Sequence, residues 1–451
     1  MERGWEIQAV WKTLVHFFPQ FNAWFERIED PRQSWKIRYP LVQVLHEGLF
    51  LFLLQLKSRR AVTFELRAFA DAARNLSCYF QAEGVESGFK KRGGGLLAHG
   101  DTLAYLLERI NPEEVGLMLP QMVESLIRSI GFLKERVLGE YYLFVVDGTA
   151  SASFSERHCE FCLTKRVGEG EKAGTVYYHS ILEAKWVLSK GVAFSAASEF
   201  IQNEKRNPSK QDCELKAFYR LIQKLKQRFP RLKICLGMDS LYANQPVIER
   251  CRKNRWGFLI SFKEGAMPQL YKECQRLIQE SRENRFFQRE GDEERAYAWV
   301  ENVEWEKGLL VNALRCRKKE KKTQRETDFF WLTNLPLSKR TCAAAAKAGR
   351  MRWKIENEGF NIQKNSGYEL EHLYSEDPTA MQNFYYLLQM AHTIRQLLEK
   401  GNLFSKPAVM LYGSLEKFSR ALWRVFTTVV LDLKRLKACL SQRCQIRFNS
   451  S

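Results

Sequence analysis

Two short apolar runs, each closed by an aspartate, constrain this chain more than any other feature. Tyr-Leu-Phe-Val-Val leads into Asp147 and Gly-Thr, and Lys-Ile-Cys-Leu-Gly-Met leads into Asp239 and Ser-Leu-Tyr-Ala-Asn. Short apolar runs bounded by turn residues read as strands buried on both faces. Around them the pattern alternates in a definite order. Strands are expected at 141–146, 175–182 and 184–192, then an amphipathic helix at 210–228, a strand at 232–238, a helix at 245–254 and a strand at 257–262. Strands alternating with helices of that length make an α/β core. In this order the first aspartate sits on the first strand and the second at the end of the fourth.

At 451 residues the chain exceeds what one hydrophobic core organises, so further regions must flank this one. Residues 1–135 read as helical, with apolar spacing of three and four at 61–73 and 103–131 and a strongly apolar stretch at 39–56. A basic, glycine-rich loop at 89–95 divides these groups, and Asp101-Thr102 is the expected cap of a helix from Leu103. This region is suited to DNA binding or dimerisation. The core itself spans 136–283. A β-rich insertion at 284–335 follows, with strands at 285–289, 295–303, 309–315 and 328–332 and a basic tip at 317–325. Residues 336–400 form a helical end of the core, and 401–451 a helical C-terminal region, with helices at 378–399 and 414–440.

Charge narrows the partners. Lys and Arg number 71 against 52 Asp and Glu, a formal net charge of +19, which predicts an anionic partner, most simply a nucleic-acid backbone. The eleven cysteines are scattered, mostly inside apolar segments, as in a protein of a reducing cytoplasm. The opening Met-Glu-Arg-Gly-Trp-Glu does not read as a signal peptide, and the most apolar stretch, 41–56, contains His46 and Glu47 and is short for a bilayer. The expected location is cytoplasmic and nucleoid-associated, with no membrane partner.

A third acid joins the two aspartates. Glu356 lies in Arg-Trp-Lys-Ile-Glu-Asn-Glu-Gly-Phe-Asn-Ile-Gln-Lys, a helix-like stretch with a buried face. Two acids at strand ends and one on a distant helix are what a two-metal phosphodiester-cutting site requires, and hard oxygen ligands select Mg²⁺ or Mn²⁺. Arg352, one turn before Glu356, faces the same side, either as an ordinary surface ion pair or as part of that site.

On Asp147-Gly-Thr, Asp239-Ser-Leu-Tyr-Ala-Asn, Phe330-Trp-Leu-Thr-Asn-Leu and Arg352-Trp-Lys-Ile-Glu, the chain resembles the DDE transposases of bacterial insertion sequences, in the group with a β-strand insertion before the last acid. The strand and helix order is that of their RNase H-like core. The resemblance covers roughly 138–395, with weaker echoes in Asp30-Pro-Arg and Asp101-Thr. It implies that Asp147, Asp239 and Glu356 bind the metals and that Arg352 and Lys364 contact phosphates or steady Glu356. It also implies that Trp331 stacks on an unpaired base, and that the partner is double-stranded DNA held by a homodimer or larger assembly. The reading from the residues leaves two competitors: a nuclease on the same core, and a basic, zinc-stapled DNA-binding protein without catalysis.

The family signature places a Tyr three residues before the Arg and a Lys seven after the Glu; here those positions are Gly349 and Gln363, and the Lys comes one later, at 364. On an α-helix a +7 residue sits about 20° from the start and a +8 residue about 80°. One inserted residue near Gly359 explains the shift, so a π-bulge is expected that returns Lys364 to the face of Glu356. A second signal is His158-Cys159-Glu-Phe-Cys162, followed by His179. Its plainer reading is a hairpin turn with two reduced cysteines; a redox pair, or a zinc site completed by His158 or His179, are the alternatives. Glu199 reads as a surface carboxylate, or as one near the metals.

Overall fold

The computed structural model describes residues 4–85, 97–132, 135–170, 173–205, 208–404 and 408–447. The loop expected at 89–95 lies outside the described residues. The strands are β1 (Tyr142–Phe154), β2 (Leu163–Val167), β3 (Gly174–Leu188), β4 (Val192–Ile201), β5 (Ile234–Met238), β6 (Gly257–Ser261), β7 (Arg285–Glu290), β8 (Glu293–Trp305), β9 (Leu309–Glu320) and β10 (Glu326–Thr333). They build one mixed sheet in the order β2-β3-β1-β5-β6-β10-β9-β8-β7. Long β3 carries β1 along one edge; β2 and β4 share the other, pairing with its first and second halves. β1–β5 and β5–β6 are parallel; helix Glu214–Arg228 leads from β4 into β5, and helix Gln245–Lys253 crosses from β5 to β6. Every residue of β5 is buried, as in a strand covered on both faces.

The insertion strands do not stand apart. β10 pairs antiparallel with β6, so β7–β10 extend the core sheet. A helix at Pro268–Glu280, absent from the sequence reading, leads into them. On the helical side, Pro378–Lys400 is the central element, packed on β4 and on helix Leu41–Leu53. The two terminal regions close around it together. Buried Lys12 donates to the carbonyls of Cys439 (2.6 Å) and Leu440 (3.0 Å), satisfying the end of helix Leu433–Ser441. Asn75 binds the carbonyls of Phe426 and Val429 at 2.8 and 2.7 Å and accepts from the Leu431 N–H.

Several boundaries differ from expectation. β3 runs unbroken through Glu183, and the turn comes later, at Gly191, whose φ of 71° suits glycine. Buried charges at 183 and 185 had made one strand look like two. The stretch 103–131 is three helices, Gly100–Leu107, Pro112–Gly116 and Met118–Arg128, divided where Asn111 caps a helix that begins with proline. The first of them is capped by the His99 side chain; Asp101 supplies only the N–H. The helix expected at 414–440 breaks into Leu415–Thr428 and Leu433–Ser441. No helix among the described residues is long and apolar enough to cross a membrane.

Candidate active site

Asp147 lies within β1, not at its end, because the antiparallel ladder with β3 continues to Phe154. The parallel ladder with β5 stops earlier, at Val145–Gly237. Asp147 therefore leaves the sheet on the β5 side, beside the point where that strand ends. Asp239 follows β5 directly and caps the short helix Ser240–Tyr242, its Oδ1 accepting the Leu241 N–H at 2.8 Å. Both aspartates thus meet at one edge.

The third acid arrives on a distorted helix. Cys342–Arg350 is α-helical, Met351–Trp353 tightens to a 3-10 turn, and Ile355–Phe360 is a π-helix, before α-helix resumes at Asn361–Asn365. The Asn361 N–H reaches back five residues to the Glu356 carbonyl. The π-bulge expected from the shifted register is present. Gly359 fits it closely: a Cβ there would lie 3.2 Å from Cε of buried Lys185. Ten residues earlier, Gly349 has no room for a side chain because the Trp331 indole fills that space, 2.5 Å from any added Cβ.

The charges converge. Arg352 Nη1 donates to Asp147 Oδ2 at 2.9 Å, so of its two readings the arginine reaches across to β1 and does not form a surface ion pair with Glu356. Burial pushes the Asp147 carboxyl above its usual range; Arg352 and the Gly148 N–H (3.0 Å) pull it down, while Asp239 and Glu356 push it up again. The exposed Glu356 carboxylate has no hydrogen-bond or ion-pair partner among the described residues. Glu214, the first residue of its helix, is a fourth acid that the sequence reading missed. Its Oε2 lies 3.0 Å from where a Cβ on Gly148 would be, and Tyr242 Oη donates to Oε1 at 2.7 Å. Burial raises this carboxyl, Tyr242 lowers it, and Asp147 and Asp239 raise it. These acids repel one another across an open site: no three of them bring oxygens within 4.8 Å of one another, although carboxylate oxygens have the donor chemistry for a hard divalent cation.

Other expected contributors stand elsewhere. Lys364 pairs with Glu371 at 3.0 Å and makes no ion pair with Glu356. Gln363, at the family's Lys position, is buried and bonds to Gln389 and His392, both at 2.8 Å. Trp331 is only 3% exposed, stacked on Phe329 and packed on Gly349, so its ring is closed to a base. The open aromatic is Trp353, 56% exposed, with the Arg352 guanidinium 4.6 Å over its ring. Glu199 is held by Arg220 and Lys224, away from solvent. The basic tip is largely neutralised: Lys318, Lys319, Lys321 and Lys322 pair with Glu293, Glu326, Glu294 and Asp292.

Behind the π-helix lies a buried polar network. Glu183 and Lys185 pair at 3.2 Å with no exposed area; Lys185 also donates to Gln389 at 2.7 Å, and Glu183 accepts from Ser195, Ser198 and Tyr385. This network ties β3 and β4 to helix Pro378–Lys400 under the segment that carries Glu356.

The Cys-His segment forms a second cluster. Cys159, Cys162 and His179 converge into a group able to hold a metal ion. His158 is not in it: its Nε2 meets the Glu376 carbonyl at 2.9 Å, and its ring stacks on Phe154. Cys159 and Cys162 are not joined in a disulfide. No family model matches the chain, and no curated protein matches it.

Proposed function

We propose that this chain is a DNA transposase on an RNase H-like core, with Asp147, Asp239 and Glu356 holding two Mg²⁺ or Mn²⁺ ions. The observation that carries the reading is placement: Asp147 and Asp239 stand where the parallel β1–β5 ladder ends, and Arg352, one turn before Glu356, reaches Asp147 at 2.9 Å. Folding does not bring acids together at a cost unless something cationic offsets it. The strand order β4-β3-β1-β5-β6, with β1, β5 and β6 parallel, supports the RNase H-like assignment.

Held by Asp147, Asp239 and Glu356, the ions would supply activation of the attacking hydroxyl and stabilisation of the leaving oxygen. The chain's own residues do the rest. Arg352 opposes the upward push of burial on Asp147 and offers a guanidinium to a phosphate, and Trp353 beside it presents an open ring to an unstacked base. The base-stacking role passes from Trp331 to Trp353. The Glu183–Lys185 network packs beneath the π-helix that carries Glu356, with Lys185 against Gly359 and the Phe360 ring. The Cys159–Cys162–His179 set takes no part in phosphoryl transfer. The substrate is double-stranded DNA at the ends of a mobile element and at its target, and two ends held together call for a homodimer or larger assembly.

The test is strand transfer. With Mg²⁺ and duplexes bearing the sequences that flank its own gene, the wild type should cut and join 3′-hydroxyls to a target. Asp147→Ala should bind the same DNA and do neither. Cleavage without joining would mark a nuclease, and unchanged cleavage by Asp147→Ala would refute the triad.

A further inference from the structure

We propose that Cys159, Cys162 and His179 bind one Zn²⁺ ion tetrahedrally, with a water at the fourth corner, as a staple for the far end of the β1–β3 ladder. The three donor atoms already sit at the corners of such a site. Cys159 Sγ and Cys162 Sγ are 3.7 Å apart, and His179 Nε2 is 3.4 and 3.5 Å from them. Zinc bonded at about 2.3 Å to sulfur and about 2.0–2.1 Å to nitrogen gives tetrahedral edges of about 3.8 Å between sulfurs and about 3.6 Å from sulfur to nitrogen. The ion therefore fits with almost no movement. A disulfide does not, since it needs sulfurs about 2.05 Å apart. Two thiols and an imidazole form a soft donor set that selects zinc over the hard cation suited to the carboxylates.

The surroundings are built to hold these ligands. The Cys159 N–H points at Cys162 Sγ at 3.3 Å, a donor that favours a thiolate there. Asn203 clamps the turn, its Nδ2 donating to the Cys162 carbonyl at 2.8 Å and its N–H to the Phe161 carbonyl at 3.1 Å. Cys162 immediately precedes β2, and His179 is opposite Ala152 of β1, so one ion joins β1, β2 and β3. Neighbouring His158 extends the staple to the Glu376 carbonyl, one residue before the Asp377 cap of helix Pro378–Lys400. The site is four ladder pairs from Asp147, counted on β3 from Glu183 to His179, about 13 Å along the strand, so this ion lies outside the carboxylate site.

Elemental analysis of the reduced, full-length protein should find one zinc per chain. Removing it with a strong chelator should lower the melting midpoint. Adding Co²⁺ to the stripped wild type should produce the near-ultraviolet thiolate-to-cobalt charge-transfer band, with tetrahedral d–d absorption. Asp147→Asn must keep that band, because carboxylates cannot produce it, whereas Cys159→Ser or Cys162→Ser should lose it. Stripped wild type that gives no thiolate band, or a band undiminished in the Cys159→Ser/Cys162→Ser double variant, overturns the proposal. Neither result depends on DNA cleavage.

Discussion

Asp147 and Glu183 face each other across the β1–β3 ladder, yet the protein treats them in opposite ways. Glu183 is fully buried and compensated, with Lys185 at 3.2 Å, Tyr385 Oη at 2.7 Å and two serine hydroxyls. Asp147 is partly open, has one arginine and one N–H, and is pressed by two further acids. Two carboxylates on one ladder thus separate structure from chemistry. An acid whose lone pairs are all met holds the sheet together. An acid left short of positive charge is built to receive it.

The comparison breaks most visibly at the compensated end. Glu183→Ala should destabilise the protein by about 3–5 kcal/mol, because it strands a buried ammonium. Chemical denaturation reads this directly. A loss under about 1 kcal/mol would mean that the network contributes little.

Next comes the fourth acid. Glu214→Gln should weaken divalent-cation affinity by roughly 10–100-fold, the usual consequence of removing a group that orients metal ligands, while the melting transition stays in place. Identical metal titrations for variant and wild type would make Glu214 merely the partner of Tyr242.

The smallest effect concerns a third way of burying an acid. Glu47, in the helical region, is buried beside neutral partners, Gln43 and the Ala98 N–H, and burial raises it to about 8. A raised carboxyl stabilises the fold at low pH and loses that contribution as pH climbs toward the raised value. Neighbouring His46, lowered by burial to about 4, acts in the opposite sense, and its contribution is lost as pH falls from 6.5. Of these two, only Glu47 operates between pH 6.5 and 8, so its contribution should fall there by roughly 1–2 kcal/mol. Glu47→Gln should flatten that limb; a wild type already flat over the same range would contradict the assignment.

What the sequence made legible follows from range. Asp147 and Asp239 stand out because apolar runs mark buried strands, and the π-turn is visible as one residue too many between Glu356 and the next Lys. Contacts made across the fold are not visible. Glu214 looks like any acid placed at a helix start to suit its dipole. Trp331 reads as available until Gly349 is known to pack beneath it. Glu183 and Lys185 break the apolar pattern of β3, since nothing local reveals that they neutralise each other.

The central claim is that the three carboxylates are a cation site. Calorimetric titration of zinc-saturated protein with Mn²⁺ tests it most directly. The wild type should bind two ions per chain, and Asp147→Asn should lose that binding with no drop in its melting transition. Equal Mn²⁺ binding by both proteins would contradict the account.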